Sequence, residues 1–240
     1  MTMQAVKGVT TTNRWIANLP NRSRSLLLEA TKPQELALRT AVHEVGQISP
    51  SIYFPHTAVF SMIVCMTDGK TVEANMVGSE GFVPVATTVL PFSNTIKTIV
   101  QVGGEALVID AGDFADLVKS YSDIARLRER YLAATYDCIM QSAACNAVHS
   151  VRARCARWLM ALMDRTQSQD INVIHQVLAE TLGASRPRVT EILATLQNDG
   201  YLELQRATLR ILNVEGLRGA ACECYGIIKR EIDQFPSRRI

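Results

Sequence analysis

The residues best suited to chemistry lie between His175 and Ala194, in the run His-Gln-Val-Leu-Ala-Glu-Thr-Leu-Gly-Ala-Ser-Arg-Pro-Arg-Val-Thr-Glu-Ile-Leu-Ala. The chemistry they offer is recognition of phosphates and base edges. Arg186 and Arg188 fall in the first turn of a predicted helix, with Thr190 and Glu191 one turn later. Arginine forks match guanine O6/N7 or phosphate oxygens, and a glutamate accepts from cytosine N4. Side chains read DNA in this way only from a rigidly held helix, and the flanking residues supply that support. Ala179 is the small residue that lets two helices cross, Gly183 supplies the turn, and Leu178, Leu182, Val189 and Ile192 fall on the seam that must be buried. Ser185 is placed to cap the second helix. Pro187 is tolerated in its first turn, where backbone N–H groups have no helical partner. An ordinary helical hairpin bearing two surface arginines would not require all of these at once.

The residues beyond this pair of helices extend the pattern. Asn198-Asp199-Gly200 is a turn signal, Tyr201 to Leu204 alternates like a strand, Ala207-Thr208 turns, and Leu209 to Leu212 reads as the returning strand. This is a β-wing, with Arg206 and Arg210 flanking its tip where phosphates would lie.

Composition sets wider bounds. The chain has 240 residues, 48% of them hydrophobic, which is enough for one large or two modest cores, and a net charge of +2 that does not by itself announce nucleic acid. Residues 1–119 carry nine basic and ten acidic side chains, and residues 120–240 carry sixteen and thirteen, so the basic excess lies in the half with the helix pair. No apolar run reaches the ~18 to 20 residues of a membrane span, and Met1 to Thr12 lacks a signal peptide's apolar core, so a cytoplasmic protein is expected. The four histidines, at 43, 56, 149 and 175, are scattered, which counts against an enzyme built on clustered metal ligands. A protein-binding adaptor using the same domains is the other alternative. Six cysteines, at 65, 138, 145, 155, 222 and 224, show no Cys-x-x-Cys spacing. Cys222-Glu223-Cys224 is the one close pair and has no further ligand beside it in sequence. Buried reduced thiols and no metal site are therefore expected.

Upstream, Asn21 to Ala30 reads as a short helix. Strand-like pieces then recur at Ser51–Phe54, Val59–Met66, Thr71–Met76, Phe82–Thr87, Thr95–Val102 and Glu105–Ile109, separated by proline and glycine turns. Short, closely spaced strands predict a jelly-roll-like barrel or sandwich. The period changes near Asp113. Ile124, Leu127, Tyr131, Ala134, Cys138, Gln141, Cys145 and Val148 are spaced alternately by three and four, so they line one side of a helix longer than about 25 residues. That seam predicts a homodimer, and it places Cys138 and Cys145 at the contact. A further helix from Val151 to Met163 supplies the element on which the helix pair packs.

The order of parts resembles the Crp/Fnr family of bacterial transcription regulators over roughly residues 14–215. Local matches are Ile52-Tyr53-Phe54-Pro55, Asp68-Gly69-Lys70, Val77-Gly78-Ser79-Glu80-Gly81, and Arg154 to Met160 leading into Leu182-Gly183-Ala184-Ser185-Arg186. The resemblance implies an α+β chain: an N-terminal double-stranded β-helix (jelly-roll-like) sensor over 14–119, a dimerisation helix over 120–149 and a winged helix-turn-helix over 150–235. It also implies a homodimer on a pseudo-palindromic duplex, contact with RNA polymerase, no catalysis and no membrane.

Carried over by position, Arg186 matches an arginine used on guanine, Ser185 a phosphate contact, and His175 and Gln176 backbone contacts of the first helix. Pro187 and Glu191 depart from the family's usual glutamate and arginine, so Arg188, Thr190 and Glu191 imply a different operator. The effector pocket implied by the family maps to Gly78, Glu80, Gly81, Asn94, Thr95, Ile139 and Met140. Asn94-Thr95 stand where a cyclic-AMP site has Arg-Ser, and Ile139-Met140 where it has hydroxyls, so cyclic AMP is not expected: a buried phosphate needs its arginine. The N-terminal cysteines of an iron–sulfur sensor are missing. Haem stays open through His43 and His56, as does another small effector.

Overall fold

A computed structural model describes residues 11–88, 96–172, 174–206 and 208–236. Two short helices, α1 (Arg14–Ala17) and α2 (Asn21–Ala30), precede strands β1 (Lys32–Leu36), β2 (Ala41–His43), β3 (Ser51–Pro55), β4 (Val59–Cys65), β5 (Thr71–Val77), β6 (Ile96–Val102) and β7 (Gly104–Asp110). These make two antiparallel sheets, ordered β1-β7-β3 and β2-β6-β4-β5. The expected jelly-roll-like domain is therefore present. Its centre is a cluster of Trp15, Phe54, Phe82 and Phe114, with ring centroids 5.2–6.1 Å apart. Asn13 ties this end together, its side chain capping α1 and donating to the carbonyls of Pro55 and Gly81.

Two expectations in the roll are corrected. Phe82–Thr87 is not a strand: only Val83 bridges, to Tyr53, before Pro84 removes a donor and residues 86–88 turn into a 3₁₀ segment. The sequence also hides β1, because Pro33 interrupts its pattern. Proline is tolerated there since β1 is an edge strand, with Lys32 to Glu35 exposed.

Helix α3 (Ala111–Ser120) leads into α4 (Ser122–Val148), 27 residues long as the spacing required. The stripe assigned to a dimer seam does not face outward. Ile124, Leu127, Tyr131 and Ala134 are buried in the roll's own core, Tyr131 stacking on Phe82 at 4.6 Å and meeting Phe235 at 5.5 Å. Cys138 and Cys145 are buried as well, Gln141 is half-buried and bonded to Cys224, and only Val148, 74% exposed, is free. The stripe is closed by α9 (Cys224–Gln234), a helix absent from the expected elements. Its signal was Tyr225, Ile228, Ile232 and Phe235, spaced by three and four.

The C-terminal half is built round α5 (Val151–Thr166). On it pack α6 (His175–Leu182), α7 (Arg186–Asn198), α8 (Val214–Ala220) and a sheet ordered β8-β10-β9, from Asp170–Asn172, Thr208–Ile211 and Leu202–Gln205. Val59 and Met76 of the roll belong to this second core. Beside them the buried Glu73 accepts hydrogen bonds from Ser61 Oγ and from Trp158 Nε1 at 3.3 Å. Desolvation pushes its carboxyl above the usual 4.5, against the lowering effect of Ser61, Arg157 and Trp158. A folded-state pKa above the unfolded one means that ionising Glu73 subtracts stability as pH climbs from the ordinary carboxyl range toward the raised value. Glu73→Gln does not titrate. Its stability relative to the unmutated protein should therefore improve from about pH 4 to pH 7 in parallel urea titrations; a difference that does not change with pH would refute the raised pKa.

Candidate nucleic-acid interface

Helices α6 and α7 meet as the local residues require. Ala179 is buried at the crossing, and Gly183 ends α6 with φ +60°, the left-handed conformation that favours glycine. Ser185 Oγ accepts from the backbone N–H of Arg188 at 3.4 Å, and Pro187 lies in the first turn of α7. Val189, Ile192, Leu193 and Leu196 bury one face of α7. The opposite face exposes Arg186, Arg188, Thr190 and Glu191 together.

These exposed groups are partly ordered by one another. Arg188 pairs with Glu191 at 3.1 Å, and His175 Nδ1 lies 3.1 Å from Thr190 Oγ1, joining the start of α6 to α7. Gln176 donates to Glu180 at 2.9 Å. The wing runs beside them. A concavity of about 320 Å³ opens between the two structures, lined by His175, Gln176, Arg186, Leu204, Gln205 and Thr208. Arg206 is exposed at the turn between β9 and β10. Arg210 is not at the tip: it points to the third strand, where it pairs with Asp170 at 3.4 Å.

The helix pair is docked on the roll. Thr71 Oγ1 donates to the Glu180 carbonyl at 3.2 Å, and a Cβ on Gly183 would lie 3.6 Å from Val72. From α5, Arg154 donates to the Leu182 carbonyl and to Asn146, each at 3.0 Å.

The residues implied for an effector pocket are not assembled into one. Glu80 is held by Arg165 of α5, with contacts of 2.7 and 2.8 Å and both side chains 8% exposed. Arg165 also closes over Gly78, where a Cβ would meet it at 2.9 Å. Gly81 lies under Tyr131, whose ring would be 2.1 Å from a Cβ. The gap between Glu80, Tyr131, Ala134 and Cys138 is only about 10 Å³. On its other side Glu80 lines a cavity of about 310 Å³ with Arg157, Arg165 and Tyr225, which none of the other implied residues reaches among the described ones. Ile139 packs on the core while Met140 points to solvent, so the two share no pocket wall. Asn94 and Thr95 lie outside the described residues. Of the two histidines kept for haem, His43 is buried in β2 and His56 accepts from the Thr12 backbone.

The cysteines divide into two kinds. Burial pushes the thiols of Cys138 and Cys155 up to about 12, which makes them inert packing groups. Cys145, Cys222 and Cys224 instead converge with His149, their ligand atoms all within 4.8 Å of one another. In the coupled pair, Cys222 is the thiol held low, first by its hydrogen bond with Cys145 and then by Arg157. The expectation that Cys222-Glu223-Cys224 stands alone is thereby corrected: its neighbours come from the far end of α4, more than seventy residues earlier.

Residues 153–220 match the Crp-like helix-turn-helix domain family. The whole fold is similar to that of the CRP-family transcriptional regulator TTHB099 from Thermus thermophilus, at 17% identity and a TM-score of 0.67 over 80% of this chain and 99% of that one. It is equally similar to the c-di-GMP-responsive global regulator CLP of Xanthomonas campestris, at 20% identity and a TM-score of 0.66 over 80% and 99%. FixK2 of Bradyrhizobium japonicum follows at 11% and 0.66, over 80% and 98%. By sequence, no curated protein matches the chain. Among the described residues no helix is long and apolar enough to cross a membrane. Residues 153–220 are thus a Crp-like helix-turn-helix domain, and the chain that carries it has the fold of the Crp/Fnr transcription regulators.

Proposed function

We propose that the protein is a cytoplasmic, sequence-specific DNA-binding transcription regulator that reads a pseudo-palindromic operator as a homodimer. The observation that carries this is the exposed first turn of α7, which offers Arg186, Arg188, Thr190 and Glu191 from a helix buried on its other face, with the wing alongside. A helix so presented fits the major groove, and backbone contacts fall to Ser185, His175, Gln176 and Arg206. Arg210, tied to Asp170, orders the wing sheet.

The homodimer is assigned to the outer side of α4. Ala133, Tyr136, Met140, Ala143 and Ala147 are exposed at spacings of three and four, with Tyr136 63% and Met140 51% exposed. This is the spacing of a helix-pairing seam, on the side that the chain itself leaves uncovered. RNA polymerase is the expected further partner. No response to cyclic AMP is expected, because Glu80 and Gly81 are already engaged by Arg165 and Tyr131.

Arg186→Ala tests the reading. Loss of a bidentate base contact should cost about 1 to 3 kcal/mol per half-site and relax preference at one base pair, while affinity for scrambled duplex stays nearly unchanged. Arg206→Ala should weaken both duplexes alike and flatten the salt dependence. Equal losses on cognate and scrambled DNA for Arg186→Ala would reduce that side chain to a phosphate contact, and binding with no salt dependence would remove DNA as the partner.

A further inference from the structure

We propose that Cys145, His149, Cys222 and Cys224 form a binding site for a thiophilic divalent cation of the zinc class. The four ligand atoms lie within 4.8 Å of one another. Cys145 Sγ is 3.5 Å from Cys222 Sγ, and Cys224 Sγ is 3.6 Å from His149 Nδ1. Zinc bonds of about 2.3 Å to sulfur and 2.0–2.1 Å to nitrogen, at tetrahedral angles, set ligand atoms about 3.5–3.8 Å apart. Two edges of the tetrahedron are therefore already at metal-bound length, and a contraction of about 1 Å closes the rest.

Three features beyond the donor set favour a metal over a cluster of buried thiols. Cys145 lies in the last turn of α4 and His149 is the residue that caps it, its backbone N–H bonded to the Cys145 carbonyl, so the end of the helix holds the two close together. His149 turns Nδ1 toward the sulfurs while its Nε2 lies 3.1 Å from Glu223. A carboxylate on the far nitrogen fixes ring and tautomer for a metal ligand. Gln141 Nε2 donates to Cys224 Sγ at 3.0 Å, a bond that suits a thiolate. Charge is also compensated: three thiolates around a divalent ion leave one net negative charge, and Arg154 and Arg157 bear electrostatically on Cys145 and Cys222.

Four protein ligands leave no open position for a substrate, and Cys145, Cys222 and Cys224 are all buried. The site is of the closed kind that holds structure. The ion would clamp the start of α9 to the end of α4, at the joint where α4 gives way to α5. Arg154, beside it, reaches the last carbonyl of α6.

The test uses the full chain, reduced and stripped of metal under anaerobic conditions, then titrated with zinc against a chromogenic chelator and separately with cobalt(II). One equivalent per chain is expected, with the strong thiolate charge-transfer and visible absorption of tetrahedral cobalt, displaced by zinc. Cys145→Ser and Cys224→Ser should lose that spectrum, and Glu223→Ala should weaken zinc binding roughly 10- to 100-fold. Cys65→Ser, at an exposed cysteine outside the cluster, should change nothing. If the serine variants fail to fold, the titration of the reduced unmutated chain decides alone. Absence of uptake by that chain would overturn the proposal, whether or not mild oxidation closes a Cys145–Cys222 disulfide. So would uptake that persists unchanged in folded Cys145→Ser and Cys224→Ser proteins, or a weakly absorbing six-coordinate cobalt spectrum.

Discussion

Tyr136→Glu/Met140→Glu is expected to yield monomers whose affinity for a palindromic operator is lower by about 100- to 10,000-fold. In a two-fold symmetric helix pair, residues near the axis meet their own copies, so each substitution sets carboxylate against carboxylate where an aromatic ring and a thioether had packed. Joining two reading heads makes the second contact intramolecular, and severing them removes that gain. Both positions are exposed in the single chain, so the fold itself should survive, and binding to an isolated half-site should remain near its original level. Light scattering and operator titration check both statements. The control is Leu127→Glu, at a position buried in the roll's core, which should unfold the chain before it separates a dimer. A double glutamate variant that still runs as a dimer would place the interface on another surface.

The second large effect is expected from Arg165→Met. Arg165 satisfies Glu80 with two contacts and also donates to the Met76 and Ala161 carbonyls, all in a nearly closed site. Removing the cation leaves a carboxylate stranded beside Tyr131, and breaking a buried pair from one side costs about 3–5 kcal/mol. Urea denaturation should show a lower midpoint with an unchanged slope. Glu80→Gln/Arg165→Met should recover part of the loss, because the uncompensated charge is gone. A double variant no more stable than Arg165→Met would show that the backbone bonds of Arg165, and not its charge, carry the effect. The pair joins the roll to α5, so the same substitution should loosen the attachment of the helix pair and broaden its DNA affinity across sequences.

The parts that could be read from sequence were those in which one residue dictates one local geometry. Gly183, Ser185 and Pro187 each announce a turn, a cap and a helix start, and the structure places all three in those roles. The wing was legible for the same reason, except for β8, three residues too short to show a period. The long helix was legible as a helix, but its stripe says only that one face is covered. What covers it, Phe82 and the α9 residue Phe235, comes from segments that no spacing connects to α4. Glu80 likewise reads as free for a ligand until a partner 85 residues away closes over it. The cysteine cluster was invisible on that same ground: Cys145 and His149 form a half-site one turn apart, Cys222 and Cys224 form another, and only the packing of α9 on α4 makes them one.

Val59 and Met76 come from the roll, yet they sit in one apolar cluster with Trp158, Leu159, Leu178 and Leu193. The turn at His149-Ser150 between α4 and α5 therefore divides the sequence without dividing the interior. A fragment starting at Ser150 would carry α6 and α7 into solution with an unfilled flank, and the roll alone would expose the matching side chains. The helix-turn-helix domain is not a portable module here: transplanting it onto another roll would carry along half of a shared interior, so the two parts are bound to melt as a single cooperative unit.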